Sequence, residues 1–436
     1  MKAILVVLTT ILTSFYFFPF EFVFLPGVNT KMAMAGVGLV WFGFNIAKGR
    51  KGNVDKDFFI LSLIALSLSL FSLVAMVYNN TRDGSFLTYF VSMWVWLGGA
   101  YTAINVIKKV HGYVSVELVC NYLIAVCVAQ CIIAYSMSVM PILKNFVDGF
   151  LGGEDAFMGK AEDRIYGIGA ALDVAGLRFS AILVMLAFLS VNYSSKYIGR
   201  IQLLYVFAFF IIVVVGNMMA RTTTVGVVLV FFFWIVNGIV DRENLRNWSL
   251  WKWLCVVLLI AVPFIVYQYD INPVFRDKIR FAFEGFFSLA ETGKWATNSN
   301  DILINHMIVF PETLKTWLIG DGYGANPSGD PYYIGPDYHG FYMGTDIGYL
   351  RFLFYFGIFG AIALVTLICY AAASCIRRFP SYKTMFLLIL AVNLIVWFKV
   401  STDIFMVFAL FLCIPKEDND AYEKQYENPI PDQLDV

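Results

Sequence analysis

The sequence predicts an all-α polytopic membrane protein with about twelve transmembrane helices and one large outer loop. Three observations carry this. First, 60% of the 436 residues are hydrophobic and only 14% are charged, and mean hydropathy is +0.73. A water-facing domain carries about a quarter charged residues, so this chain lacks the charge to cover a soluble surface. Second, the apolar residues gather into runs near the ~20 residues needed to cross a bilayer core. Third, the turns between runs are alternately basic and poor in basic residues.

The runs lie at 3–20, 32–47, 58–78, 86–107, 114–139, 172–193, 201–216, 224–240, 253–269, 346–372, 384–398 and 402–414. The first follows a single lysine, has no small-x-small cleavage site before Glu21, and reads as the first span. The second and the last two are short. Basic residues fall in every second turn: Lys48, Arg50, Lys51 and Lys56; Lys108 and Lys109; Lys196 and Arg200; Arg242, Arg246 and Lys252; Arg377, Arg378 and Lys383. The intervening short turns hold only Lys31, Arg82, Arg221 and Lys399. Lysine and arginine concentrate on the cytoplasmic side, so both termini are expected there. No internal repeat is visible.

Two loops then face outward. Residues 140–171 are mildly acidic. Residues 270–345 form the only large hydrophilic segment, and NPVFRDKIRFAFEGFFSLAE within it predicts an amphipathic helix at about 274–290, with Phe275, Ile279, Ala282, Phe283 and Phe286 at helical spacing and Arg276 and Arg280 on another face. GDGYGANPSGDPYYIGPDYHG reads as irregular chain. Residues 1–414 form one membrane domain, and 415–436 an acidic, disordered cytoplasmic tail.

Composition also excludes. A net charge of zero gives no electrostatic footprint for nucleic acid. The seven cysteines lie in or beside apolar runs, which argues against a disulfide framework. No His/Cys cluster has metal-ligand spacing, and no cofactor motif is present, so neither a metal nor a cofactor is expected.

Charge at the ends of the spans is the remaining signal, because ionisable groups near membrane depth need a reason to be there. On the predicted topology Arg178, Arg221, Asp346 and Arg351 all lie near the outer face. Lys399 and Asp403, four residues apart, read as a structural pair. Guanidinium groups grip phosphate bidentately, so outer-face arginines suit a lipid diphosphate. Asp346, His339 and His306 are the candidates to take a proton from an attacking hydroxyl. The threonines at 222–224 read as helix caps.

The turn ARTTTVG resembles the arginine turn of the O-antigen polymerase and ligase family. KTWLIGDGYG, followed by YMGTDIGYLRFLFYFGIFG, resembles that family's outer-loop exit. Asp346 stands where the family's ligases carry a histidine, a departure that favours a polymerase. The resemblance covers about 200–372. It implies a metal-independent, inverting glycosyltransferase of GT-C-like fold in the bacterial inner membrane. The donor would be an undecaprenyl-diphosphate-linked oligosaccharide. The acceptor would be the non-reducing-end hydroxyl of another lipid-linked repeat unit of an O-antigen or capsule, and a chain-length regulator is a further expected partner. In this scheme Asp346, Arg221 and His339 are catalytic, and Arg178, Arg276, Arg280 and Arg351 bind diphosphate or substrate. The alternatives are an O-antigen ligase and a flippase or transporter of lipid-linked oligosaccharide; a transferase using polyprenyl monophosphate sugars ranks third.

Overall fold

The computed structural model describes residues 2–48, 56–152, 164–192, 198–240, 245–330, 333–338 and 340–427. His339, Arg50, Lys51, Lys196 and Arg242 lie outside them. The chain is mainly helical: α1 (Lys2–Phe17), α2 (Thr30–Ala47), α3 (Lys56–Asn79), α4 (Tyr89–His111), α5 (Val116–Val139), α6 (Pro141–Asp148), α7 (Leu172–Asn192), α8 (Ile198–Met219), α9 (Thr223–Val240), α10 (Leu245–Ile271), α11 (Pro273–Ala282), α12 (Glu284–Thr292), α13 (Asn298–Ile302), α14 (Leu314–Leu318), α15 (Gly348–Arg378), α16 (Lys383–Val396), α17 (Phe405–Leu412) and α18 (Lys416–Glu427). Each of the twelve apolar runs carries a helix. Seven of these helices are long and apolar enough to cross a membrane, namely α3, α4, α5, α7, α8, α10 and α15, and α1, α9 and α16 are shorter apolar helices. The protein is therefore a helical membrane protein. The last run holds only the eight residues of α17, begun after the turn at Asp403 and ended before Pro415.

The helices run back and forth so that the ends of α1, α3, α5, α8, α10 and α16, and the starts of α2, α4, α7, α9, α15 and α17, share one end of the bundle. This loop end also holds residues 273–347 and a small antiparallel sheet of β1 (Glu21–Phe22), β2 (Leu25–Asn29) and β3 (Leu151–Gly152), in the order β2-β1-β3.

α7 is the axis of the fold. Every residue from Ala175 to Ser190 is buried, as a helix apolar all round must be. α8, α9 and α16 pack on it. α9 comes close because Gly226 carries no side chain: a Cβ there would strike the Ser180 backbone. The Ser180 hydroxyl in turn donates to the Thr222 carbonyl at 2.9 Å. α17 is buried throughout, and the Tyr16 hydroxyl ties α1 to it through the Met406 carbonyl at 2.8 Å.

α15 is not continuous. Phe356 (φ −133°, ψ 19°) and Gly357 (φ 67°, ψ −171°) break it. The positive φ needs glycine, and a Cβ would collide with the Leu318 carbonyl. The break frees the carbonyls of Phe354 and Tyr355 from the helix. The amides of Asp321 (2.6 Å) and Gly322 (3.0 Å) satisfy them, as buried carbonyls in an apolar medium require.

Two expectations change here. The amphipathic segment is two helices, α11 and α12, because Phe283 leaves helical geometry (φ −119°, ψ 29°). The tail is helical over Lys416–Glu427. Asn419 is buried and accepts from the Val116 amide at 3.1 Å, capping α5, and Asp418 pairs with Lys108 at 2.6 Å. A charged sequence with low intrinsic order thus folds against α5 because it supplies that helix's missing hydrogen bonds. Residues 428–436 lie outside the described residues.

Candidate functional site

Four turns and helix starts converge at the loop end: the start of α2 (Lys31), the start of α7 (Asp173, Arg178), the α8–α9 turn (Arg221) and the α16–α17 turn (Lys399, Asp403). The start of α15 adds Asp346 and Arg351, and Arg164 joins from the preceding loop.

Arg221 has protein partners. One terminal nitrogen pairs with the Glu284 carboxylate, the other donates to the Ser299 hydroxyl at 3.0 Å, and the guanidinium lies 4.7 Å from the centre of the Phe281 ring. Arg164 lies 5.2 Å from the centre of that ring. The arginine turn therefore clasps α11 and α12 to the bundle. Burial holds the Arg221 guanidinium below its ordinary pKa, Arg164 adds to the fall, and Asp173 opposes it. The threonines beside it do not cap α9. Thr222 donates to Asp173 at 3.0 Å and Thr224 to Asn217 at 2.7 Å, because a turn this tight directs the hydroxyls back to the preceding helices.

Arg351 is also committed. It donates to the Ser401 hydroxyl at 2.6 Å and the Gly324 carbonyl at 3.1 Å, and stacks 3.5 Å from the centre of Phe341. It belongs to a brace around GDGYG. Asp83 accepts from the amides of Gly324 (2.7 Å) and Ala325 (3.0 Å). Lys315 pairs with Asp321 at 2.5 Å and donates to Asn79 at 2.7 Å. Thr81 donates to the Gly322 carbonyl at 3.0 Å. Burial opposes ionisation of Asp83, but hydrogen bonds from Ser85, Ala325 and Gly324 outweigh it and hold its carboxyl below the ordinary value. The segment read as irregular is thus bonded in place at its root.

Three cations differ. Arg178 is only 8% exposed, lies over the rings of Phe18 (5.4 Å) and Phe17 (6.0 Å), and makes no hydrogen bond or ion pair among the described residues. Lys31 sits 4.0 Å from the Trp96 ring centre and Lys399 stands half-buried in its turn; they too lack such a partner. Burial pushes the Lys399 ammonium down; Asp173 and Asp346 oppose this, and Arg221 and Arg164 add to it. Asp346 is half-buried and within electrostatic reach of Lys399 and Arg351.

Lys399 and Asp403 do not pair. The Asp403 carboxylate accepts from the Tyr89 hydroxyl at 3.0 Å and the Phe405 amide at 3.0 Å, and its cationic neighbours are Lys31 and Arg178. The turn between them points their side chains apart, which sequence spacing alone does not reveal. Arg280 is turned away, bound to Glu291 at 2.7 Å and Tyr269 at 3.1 Å. Arg276 shares its helix and is not gathered with the others; Phe281 is the residue α11 offers to the cluster. His306 is exposed in the loop.

Of the residues read from the sequence, Arg221, Asp346 and Arg351 are linked through the charges around Lys399 and Asp346, Arg178 joins Lys31 and Asp403 at the same end, and Arg280 is turned away. Lys31, Asp83, Arg164 and Asp173 are additions, and Lys399 and Asp403, read as a structural pair, enter the cluster separately. Lys31 and Lys399 carried the same signal as Arg221, a cation in a turn where the charge pattern disfavours one.

No protein-family model matches the chain, and no curated protein matches it in sequence.

Proposed function

We propose that the chain is a polysaccharide repeat-unit polymerase of the O-antigen or capsule type. In this reading it has twelve spans of GT-C-like arrangement in the bacterial inner membrane. Both termini are cytoplasmic, and the loop end faces the periplasm. The observation that carries it is Arg178, a buried guanidinium with no hydrogen-bond partner among the described residues. A charge removed from water without a partner is costly. An oxyanion ligand relieves that cost, and a lipid diphosphate places one at this depth. Lys399 stands ready on the same side.

The chemistry is a displacement at the anomeric carbon of an undecaprenyl-diphosphate-linked glycan. A hydroxyl at the non-reducing end of a second lipid-linked repeat unit attacks. The new oxygen–carbon bond forms as the carbon–oxygen bond to the diphosphate breaks, with inversion. Asp346 takes the hydroxyl proton. The departing electron pair leaves with the diphosphate, stabilised by fixed cations. Arg221 acts here through the clasp on Glu284, holding α11 and α12 beside the site, rather than as the first phosphate ligand.

The test is purified protein in detergent with lipid-linked repeat units. A ladder of longer lipid-linked products is expected, lost in Asp346→Ala with normal protein level and insertion. Full-length polymer from that variant removes Asp346 from the mechanism. Transport of the substrate across vesicles without any ladder replaces the polymerase by a flippase.

A further inference from the structure

We infer that Lys31 and Arg178 together form the seat of the lipid diphosphate, with Asp403 as the resident counter-ion whose field the diphosphate takes over. This rests on the polymerase reading for the identity of the lipid, but not for the seat itself.

The first observation is donor capacity. An ammonium offers three N–H groups and a guanidinium five, and none of those on Lys31 and Arg178 has a hydrogen-bond partner among the described residues. Their surroundings are aromatic: Trp96 under Lys31, and Phe17 and Phe18 under Arg178. Ring faces steady a cation without using up its hydrogens. The second observation is the nearby acid. Asp403 is the carboxylate within electrostatic reach of both cations, yet it forms an ion pair with neither. The Tyr89 hydroxyl and the Phe405 amide hold it in place. Fixed there, it lowers the cost of the two positive charges without occupying their donors. Two cations and one anion leave a net charge of +1, which attracts an incoming diphosphate.

Depth decides which part of a lipid-linked glycan belongs here. Arg178 stands six residues into α7, about 9 Å at 1.5 Å per residue. Lys399, Asp346 and Arg164 lie in turns or at a helix start. In a lipid-linked glycan the phosphates lie next to the tail and the sugars beyond them. The deeper Arg178 therefore suits the phosphates, with Lys31 at the start of α2 within electrostatic reach of it, and the groups nearer the loop suit the sugars and the proton transfer. That order also places Asp346 away from the leaving group, as in-line attack requires.

The test measures binding of farnesyl diphosphate to the full-length protein in detergent, with farnesyl monophosphate and inorganic pyrophosphate as further probes. Wild type is expected to prefer the lipid diphosphate. Lys31→Met should weaken it more than tenfold and Lys31→Arg restore most of it. Asp403→Asn, which removes a neighbouring negative charge, should tighten it several-fold. Thermal unfolding of each unliganded variant separates loss of the seat from loss of the fold. Unchanged affinity in a folded Lys31→Met, or weaker binding in a folded Asp403→Asn, overturns the assignment while leaving the polymerase reading intact. Pyrophosphate binding as tight as that of the lipid makes the seat a free-anion site and overturns the lipid assignment. Absence of any diphosphate binding to wild type overturns both readings.

Discussion

Arg351 and Arg178 stand at the same end of one bundle, yet their environments are opposite. Arg351 donates from its two terminal nitrogens to Ser401 and Gly324 and stacks on Phe341, and only its buried Nε has no hydrogen-bond partner among the described residues. It is one strut of a brace in which Asp83, Lys315, Thr81 and the broken helix α15 fix residues 320–325. Arg178 lies over the Phe17 and Phe18 rings and makes no hydrogen bond or ion pair among the described residues. Sequence reasoning ranked the two alike, because a guanidinium near a span end is the same letter in both cases. The difference lies in who uses the terminal donors: the fold takes both terminal nitrogens of Arg351 and neither of Arg178 among the described residues.

Mutation can break this comparison. The largest effect is expected from Arg178→Ala, which should lower chain lengthening at least ~100-fold, the scale of losing a transition-state charge partner, while the unfolding midpoint holds or rises. A loss of stability instead would make Arg178 a structural residue like Arg351. Arg351→Ala should do the reverse first, costing about 3 kcal/mol of stability through its lost hydrogen bonds and ring contact. Denaturant unfolding measures this, and a neutral result would dissolve the brace.

Asp83→Asn is the finest test, at about 1–2 kcal/mol for weakened hydrogen bonds to the Gly324 and Ala325 amides. Here the sign in pH is fixed. The folded-state pKa of Asp83 lies below the unfolded value near 3.8. Its contribution is therefore fully present above that value and is lost as pH falls through the folded one. Limited proteolysis of the loop between pH 3 and 6 should show acid loosening in wild type and a flatter response in the variant.

Much of the frame was legible because hydrophobic runs and basic turns are long-range signals that survive local detail. All twelve runs carry helices, and the face of α11 was readable from Phe275, Ile279 and Ala282. The failures are local. Lys399 and Asp403 share a spacing that pairs side chains on a helix, but they sit on a turn. Arg280 is helical as expected, yet Glu291 from the next helix claims it, and only the break at Phe283 allows that approach. The acidic tail offered no apolar face, and its docking depends on the unfilled amides at the start of α5. Lys31 and Asp403 come together only in space, 372 positions apart in the numbering.

The break in α15 has a consequence for assembly. The two carbonyls it releases are matched by amides that precede the helix in the chain, so the root of the large loop is made before the helix that requires it. A nascent chain entering the membrane must carry residues 320–322 in beside α15 or insert that span with two bare acceptors in hydrocarbon. Loop root and helix are in this sense one inserting unit, and the stretch between them, 326–340, is where the chain can be lengthened or cut with the least disturbance to membrane integration.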